Sequence, residues 1–130
     1  MADYRGKPCL DCWEWQRTAI RCGLRHDEPR LIDWHFATGV DLVAHGLLDP
    51  WRMGFGSLNL LLDTASDTML PWHWRSLCLD NVYRPLQLLH ELPKNCARRR
   101  SLEKVCGRLL ALRLQPSLTP GELAEGNPYA

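Results

Sequence analysis

The stretch Asp27-Glu-Pro-Arg-Leu-Ile-Asp-Trp-His-Phe-Ala-Thr-Gly-Val-Asp-Leu-Val-Ala-His-Gly-Leu-Leu48 decides the fold class. Ile32, Phe36, Val40, Val43 and Leu47 recur at steps of four, four, three and four, a stripe along a helix that no single face of a strand could hold. Asp27 has N-cap chemistry, and Glu28 and Pro29 suit a first turn, so the spacing predicts a helix from there to about Leu48.

The same reading extends both ways. Upstream, Cys9, Trp13, Ile20 and Leu24 share a face, and Gly23 with Arg25-His26 suits a C-terminal end, predicting a helix over about Cys9 to Leu24. Downstream, Asp49-Pro50 repeats the cap-plus-proline start, and Trp51, Phe55, Leu58, Leu62 and Ala65 form a third face. Gly54 and Gly56 inside it each cost about 1 kcal/mol relative to alanine, so they imply close packing against another helix or an irregular first turn. Thr64 to Thr68 reads as a polar connection. Pro71 opens a fourth helix with the face Trp74, Leu77, Cys78, Asn81, Val82, Pro85, Leu88, Leu89 and Leu92. Pro85 removes one hydrogen bond there, which predicts a kink near Asn81. Leu102, Val105, Leu109 and Leu112 define a fifth helix over about Asn95 to Leu114, and Thr119 to Glu122 has capping-box spacing. The expectation is an all-α, single-domain bundle of about five helices plus a short C-terminal turn, with residues 1–8 and 126–130 frayed.

Composition agrees. The chain has 130 residues, 45% apolar and 24% charged, which suits one domain with one core and disfavours a disordered tail protein. There are 24 Leu against 11 Val, Ile and Thr together, an excess of good helix formers over β-branched residues. No apolar run approaches the roughly 20 residues of a membrane span, and Met1 to Lys7 carries no secretory stretch. The expectation is a cytoplasmic protein that does not engage a membrane. Its six cysteines are then read as mostly reduced core thiols, with Cys78 among Trp74, Leu77 and Val82, and Cys106 among Val105, Leu109 and Leu110.

Four segments could carry chemistry. Cys9, Cys12, Cys22 and His26 have zinc-like spacing, but one continuous helix puts Cys12 and Cys22 about 15 Å apart, too far for one tetrahedral ion. A redox role for Cys9 and Cys12 needs a depressed thiol pKa, usually in a βαβ setting that this pattern lacks. Asp41, His45 and Asp49 are spaced like ligands but lie opposite Val40 and Val43, which suits a solvated polar face. His35 beside Phe36 reads as a core-edge histidine, and no Glu-x-x-His pair of the di-iron type occurs. No metal ligand set and no cofactor is therefore assigned.

Charge is unevenly spread. Residues 27–93 carry nine acids and four bases, whereas residues 94–114 carry seven bases and one acid. Arg98, Arg99, Arg100 and Lys104 mark this basic surface, which could track phosphates. It lacks interleaved aromatics and a helix-turn-helix pattern, so nucleic acid is disfavoured and a solvated face, or one packed on the acidic segment, is the simpler reading. Arginine outnumbers lysine 13 to 3, a bias that a GC-rich genome also produces.

The densest segment is Leu70-Pro-Trp-His-Trp-Arg-Ser-Leu-Cys-Leu-Asp80, followed by Arg84-Pro85. Trp and Arg are the residues enriched at binding hot spots. With Trp74 facing the core, Trp72, His73, Arg75, Asp80 and Arg84 form the candidate partner-binding surface, and Asp80 and Arg84 can pair at i, i+4. Core packing at a proline-opened helix start competes with that reading.

The same stretch through Leu86, with Leu60-Leu-Leu-Asp-Thr-Ala65 upstream and Leu114-Gln-Pro-Ser117 downstream, resembles the FagA family of pseudomonads. The chain length and the order of a Trp-rich first helix and an Asp-Glu-Pro-Arg-Leu turn are similar as well. Genes of that family accompany a fumarase and a manganese superoxide dismutase expressed when iron is scarce. The resemblance implies an accessory role in iron limitation or oxidative stress, and no site residue is carried over from it.

The residues show no phosphate loop, nucleophile elbow or nucleophile-base pairing, so the expectation is a binding protein and not an enzyme. Its partner would be another protein, such as a metabolic or antioxidant enzyme used under low iron. The alternatives are a binder of iron, manganese or haem through Cys and His, and a nucleic-acid regulator acting through residues 94–114. The partner's identity and the oligomeric state have no signature in the residues.

Overall fold

Residues 9–119 are described by the computed structural model, and they form helices with no strand among them. The helices are α1 (Leu10–Arg21), α2 (Arg30–Ala44), α3 (Pro50–Ala65), α4 (Trp72–Asp80), α5 (Tyr83–Glu91) and α6 (Cys96–Ala111). The expected all-α bundle is thus observed. The expected C-terminal turn lies almost wholly outside the described residues, as do the ends expected to fray.

The first two helices end in the same way. Gly23 and Gly46 adopt φ values of +62° and +71°, the left-handed region that glycine enters without Cβ strain. In α1 the Leu24 amide then donates to Ala19 O and the Gly23 amide to Ile20 O; in α2 Leu47 donates to Leu42 O and Gly46 to Val43 O. Both are Schellman closures, which satisfy carbonyls the helix leaves open. Gly46 therefore stops α2 short of the expected Leu48. Its start differs too: Asp27 is not the cap, because Pro29 holds that position and Glu28 Oε1 accepts the Arg30 amide at 3.2 Å.

The predicted kink at Asn81 is a complete break between α4 and α5. Pro85 has no amide to donate to Asn81, so the chain ends one helix at Asn81 and starts another at Tyr83. Pro85 then lies in the first turn of α5, where a missing amide leaves nothing unsatisfied. The freed Asn81 carbonyl accepts from the Arg84 amide at 3.4 Å.

Helix α3 is central and packs against α1, α2, α4 and α5. Gly54 makes the α5 contact close: a Cβ there would stand 2.9 Å from Leu89 Cδ2, which bears out the close-packing reading of that glycine. Gly39 of α2 does the same against Met53 and Trp13, at 2.8 and 2.9 Å. The main core includes Ile20, Leu31, Leu58, Leu62, Trp74, Cys78 and Leu89, with Leu102 and Val105 of α6 at its margin. Full burial of leucines such as Leu58, Leu62 and Leu89 stabilises the fold by about 2 kcal/mol each.

The buried stripe of α2 is rotated from the expected one. Leu31, Ile32, His35, Thr38, Gly39 and Leu42 face inward, whereas Val40 and Leu47 are more than two-fifths exposed. Leu24, assigned to the apolar face of the first helix, is likewise exposed. No helix of the described residues is long and apolar enough to cross a membrane.

Arg75 of α4 closes the architecture. Its guanidinium is fully buried and donates to Ala65 O at 2.9 Å, Gln115 O at 2.7 Å and Ser117 Oγ at 2.8 Å. Ala65 is the last residue of α3, so the cation supplies a donor to a carbonyl the helix cannot satisfy and meets the negative end of its dipole. The Leu118 amide donates to Thr68 O at 2.7 Å, holding the C-terminal segment across the α3–α4 connection. Arg75→Met would leave those acceptors without this donor, at a cost of about 3 kcal/mol. Urea unfolding should show that loss, with faster proteolysis between residues 112 and 119; unchanged stability would contradict the anchoring role.

Candidate functional site

The five residues of the expected partner surface do not converge. Arg75 is buried in the anchor just described, and its guanidinium carbon also lies 5.7 Å from the centre of the half-buried Trp72 ring. It cannot present a free cation to a partner, so the expectation for Arg75 is corrected. Asp80 and Arg84 fall on opposite sides of the helix break and are not the expected pair. Arg84 instead donates to Asp33 Oδ1 of α2 at 2.7 Å and to the Tyr83 hydroxyl at 3.3 Å. His73 is exposed and meets a residue from far away in the chain, with Nε2 at 3.0 Å from His26 O and 3.4 Å from His26 Nδ1.

The basic helix divides into engaged and free cations. Arg108 pairs with Asp63 of α3 at 2.8 Å, and Arg98 lies 5.0 Å over the Trp51 ring. Lys94 donates to His90 O and Leu92 O at the C-terminal end of α5, at 2.7 and 2.8 Å, where a cation meets the dipole. Arg99, Arg100 and Lys104 are exposed. The basic segment therefore partly packs on the acidic one.

An open groove lies between α1 and the first half of α3. Its volume is about 630 Å³, and it is lined by Leu10, Trp13, Glu14, Arg17, Leu47, Leu48, Trp51, Arg52, Phe55 and Gly56. Trp51 stacks on Phe55 with ring centres 5.6 Å apart and planes at 16°. Gly56 keeps the floor open: a Cβ there would approach only Trp13 Cη2, at 4.0 Å. Beyond Gly56 the furrow continues between Arg17, Thr18, Arg21, Asn59 and Asp63, adding about 390 Å³. The rim is cationic. Arg17 makes only an exposed pair with Glu14 at 3.6 Å, and Arg52 is exposed with no acid against its guanidinium among the described residues.

Sequence reasoning assigned Trp51 and Phe55 to the core and missed this groove. The available signal was Trp51-Arg52 with Phe55-Gly56 at helical spacing, aromatics beside a cation and a side chain that is absent.

The cysteines follow burial. All six are free thiols, but only Cys78 is fully buried, where desolvation pushes its pKa up to about 12. Cys9, Cys22 and Cys96 are exposed, which corrects the reading of mostly core thiols. Cys9 Sγ accepts the Cys12 amide at 3.3 Å and caps α1. Burial, then the neighbouring Cys9, raise the Cys12 pKa, opposite to what a redox thiol needs. Continuous α1 separates Cys12 from Cys22, and among the described residues no three His, Cys, Asp or Glu side chains converge on one metal position. Asp41, His45 and Asp49 sit at helix ends, with His45 Nδ1 donating to Asp41 O and Asp49 accepting the Arg52 amide.

Comparison with protein-family models, curated proteins and solved structures gives no match to any of the three.

His35 is the buried titratable group next to these elements. It is 3% exposed, stacks on Trp13 at 4.9 Å and 14°, and its Nε2 has no hydrogen-bond partner. Burial, and then the positive charge of Arg17, lower its pKa to about 3. The folded chain thus holds it neutral, while the unfolded chain protonates it near 6.5. Its contribution is complete above that value and is lost as pH falls toward 3, at about 1.4 kcal/mol per pH unit. Urea unfolding at pH 5 should give a stability about 2 kcal/mol below that at pH 7 from this group. His35→Phe should flatten the difference, and an equally steep profile in that variant would rule His35 out as its source.

Proposed function

We propose that this chain is a small helical accessory protein that works by binding a partner protein, and that the α1–α3 groove takes the partner. The groove itself carries the reading: aromatic side chains line an open floor while Arg17 and Arg52 rim it. Trp and Arg concentrate binding energy at interfaces, and a furrow along a 12-residue helix is about 18 Å long, enough for three turns of a partner helix. The complementary ligand is an amphipathic segment with apolar side chains for Trp13, Trp51 and Phe55 and carboxylates for Arg17 and Arg52. A place in iron limitation or oxidative stress rests on the family resemblance alone.

Gly56→Leu provides the test, since a Cβ there makes only an ordinary 4.0 Å contact with Trp13 Cη2, the longer side chain fills the groove, and leucine favours the helix. With the full chain as bait in extract from iron-starved cells, a partner held by the wild type should lose about tenfold in retention to Gly56→Leu and to Arg52→Glu. Trp72→Ala should retain it. Equal retention by all variants, loss with Trp72→Ala alone, or nothing above control would each defeat the proposal.

A further inference from the structure

Outside the groove, the fold brings together two histidines 47 residues apart. His26 lies in the turn between α1 and α2, and His73 is the second residue of α4. Both are exposed, their ring centres are 5.3 Å apart, and the ring planes meet at 64°. His73 Nε2 lies 3.0 Å from the backbone oxygen of His26, a contact that requires a hydrogen on that nitrogen. The same nitrogen stands 3.4 Å from His26 Nδ1, which therefore faces it as the acceptor.

We infer that His26 and His73 form a two-histidine site for a divalent first-row transition cation. Imidazole nitrogens bind such ions at about 2.0–2.1 Å, and two of them at a tetrahedral angle are about 3.4 Å apart. The observed separation of 3.4 Å already matches that edge. For binding, His73 moves its hydrogen from Nε2 to Nδ1 and gives up its hydrogen bond to the His26 carbonyl, and the ion takes the place between the two nitrogens. Water fills the remaining positions. No side chain must cross the molecule, because α4 is fixed against α1 by the Trp74 indole, whose Nε1 donates to Ile20 O at 2.9 Å. The site joins the α1–α2 turn to α4, so an ion bound only in the folded state adds to stability by mass action.

The exposed thiols of Cys9, Cys22 and Cys96 would compete for the metal, so the full chain is first alkylated with iodoacetamide. Cys78, buried and with its pKa pushed up to about 12, escapes the reagent. Calorimetric titration with zinc ion alone should then give one ion per chain. Affinity should fall about tenfold or more in His26→Ala and in His73→Ala, because the second, pre-placed ligand makes its bond intramolecular. Zinc should also raise the melting temperature of the wild type and leave both variants unmoved. His73→Asn, which can still donate to the His26 carbonyl, serves where His73→Ala does not fold, and the same loss is expected. The inference is overturned by no uptake at millimolar zinc, by equal affinity in the variants, or by a melting shift that survives both substitutions.

Discussion

A positive charge with no access to water sets the geometry of this molecule. The Arg75 guanidinium is tolerated in the interior because carbonyl and hydroxyl oxygens stand where water would, at Ala65, Gln115 and Ser117. These acceptors come from two stretches of chain: the end of α3 and the extended C-terminal segment, where Ser117 is itself fully buried. One side chain thereby fixes the approach of α4 to α3. The neighbouring Trp74 then reaches the C-terminal end of α1, and His73 reaches His26.

Helix starts were legible at Asp49-Pro50 and near Asn95, whereas Asp27 does not cap α2 and Gly46 ends it early. Asp49-Pro50 opens α3, with Asp49 Oδ2 on the Arg52 amide, and Asn95 caps α6 through the Arg98 amide. Pro85 was legible as a disturbance, but not as a full break, because the choice depends on whether the freed Asn81 carbonyl finds another donor. Helix faces were less legible. The inward stripe of α2 contains His35 and Thr38, polar residues that apolar periodicity passes over, and Thr38 hides its hydroxyl by donating to Trp34 O at 2.8 Å. Glycines at 39 and 54 complete the same picture, since a missing side chain leaves no hydrophobic signal where two helices come closest.

The candidate site was less visible than the fold, for a related reason. Trp72 to Arg84 is dense in residues that make interfaces, and the same residues make interior anchors. Burial decides between the two, and burial of Arg75 depends on Gln115 and Ser117, some 40 residues away. The groove has the opposite character. Its walls come from α1, α3 and the connection before α3, so no single stretch of sequence contains it.

The charge asymmetry also takes a different meaning in three dimensions. Lys94, Arg98 and Arg108 are occupied by helix-end carbonyls, an indole face and Asp63, contacts that dock α6 onto α5 and α3. Arg98 sits on the Trp51 ring whose other neighbour, Phe55, faces the groove. The basic helix and the aromatic groove therefore share Trp51. Arg98 is thereby held over the indole, a cation fixed on the aromatic pair from the side of α6. Charge that reads along the chain as one basic surface is divided in the fold, with Lys94, Arg98 and Arg108 engaged and Arg99, Arg100 and Lys104 left exposed.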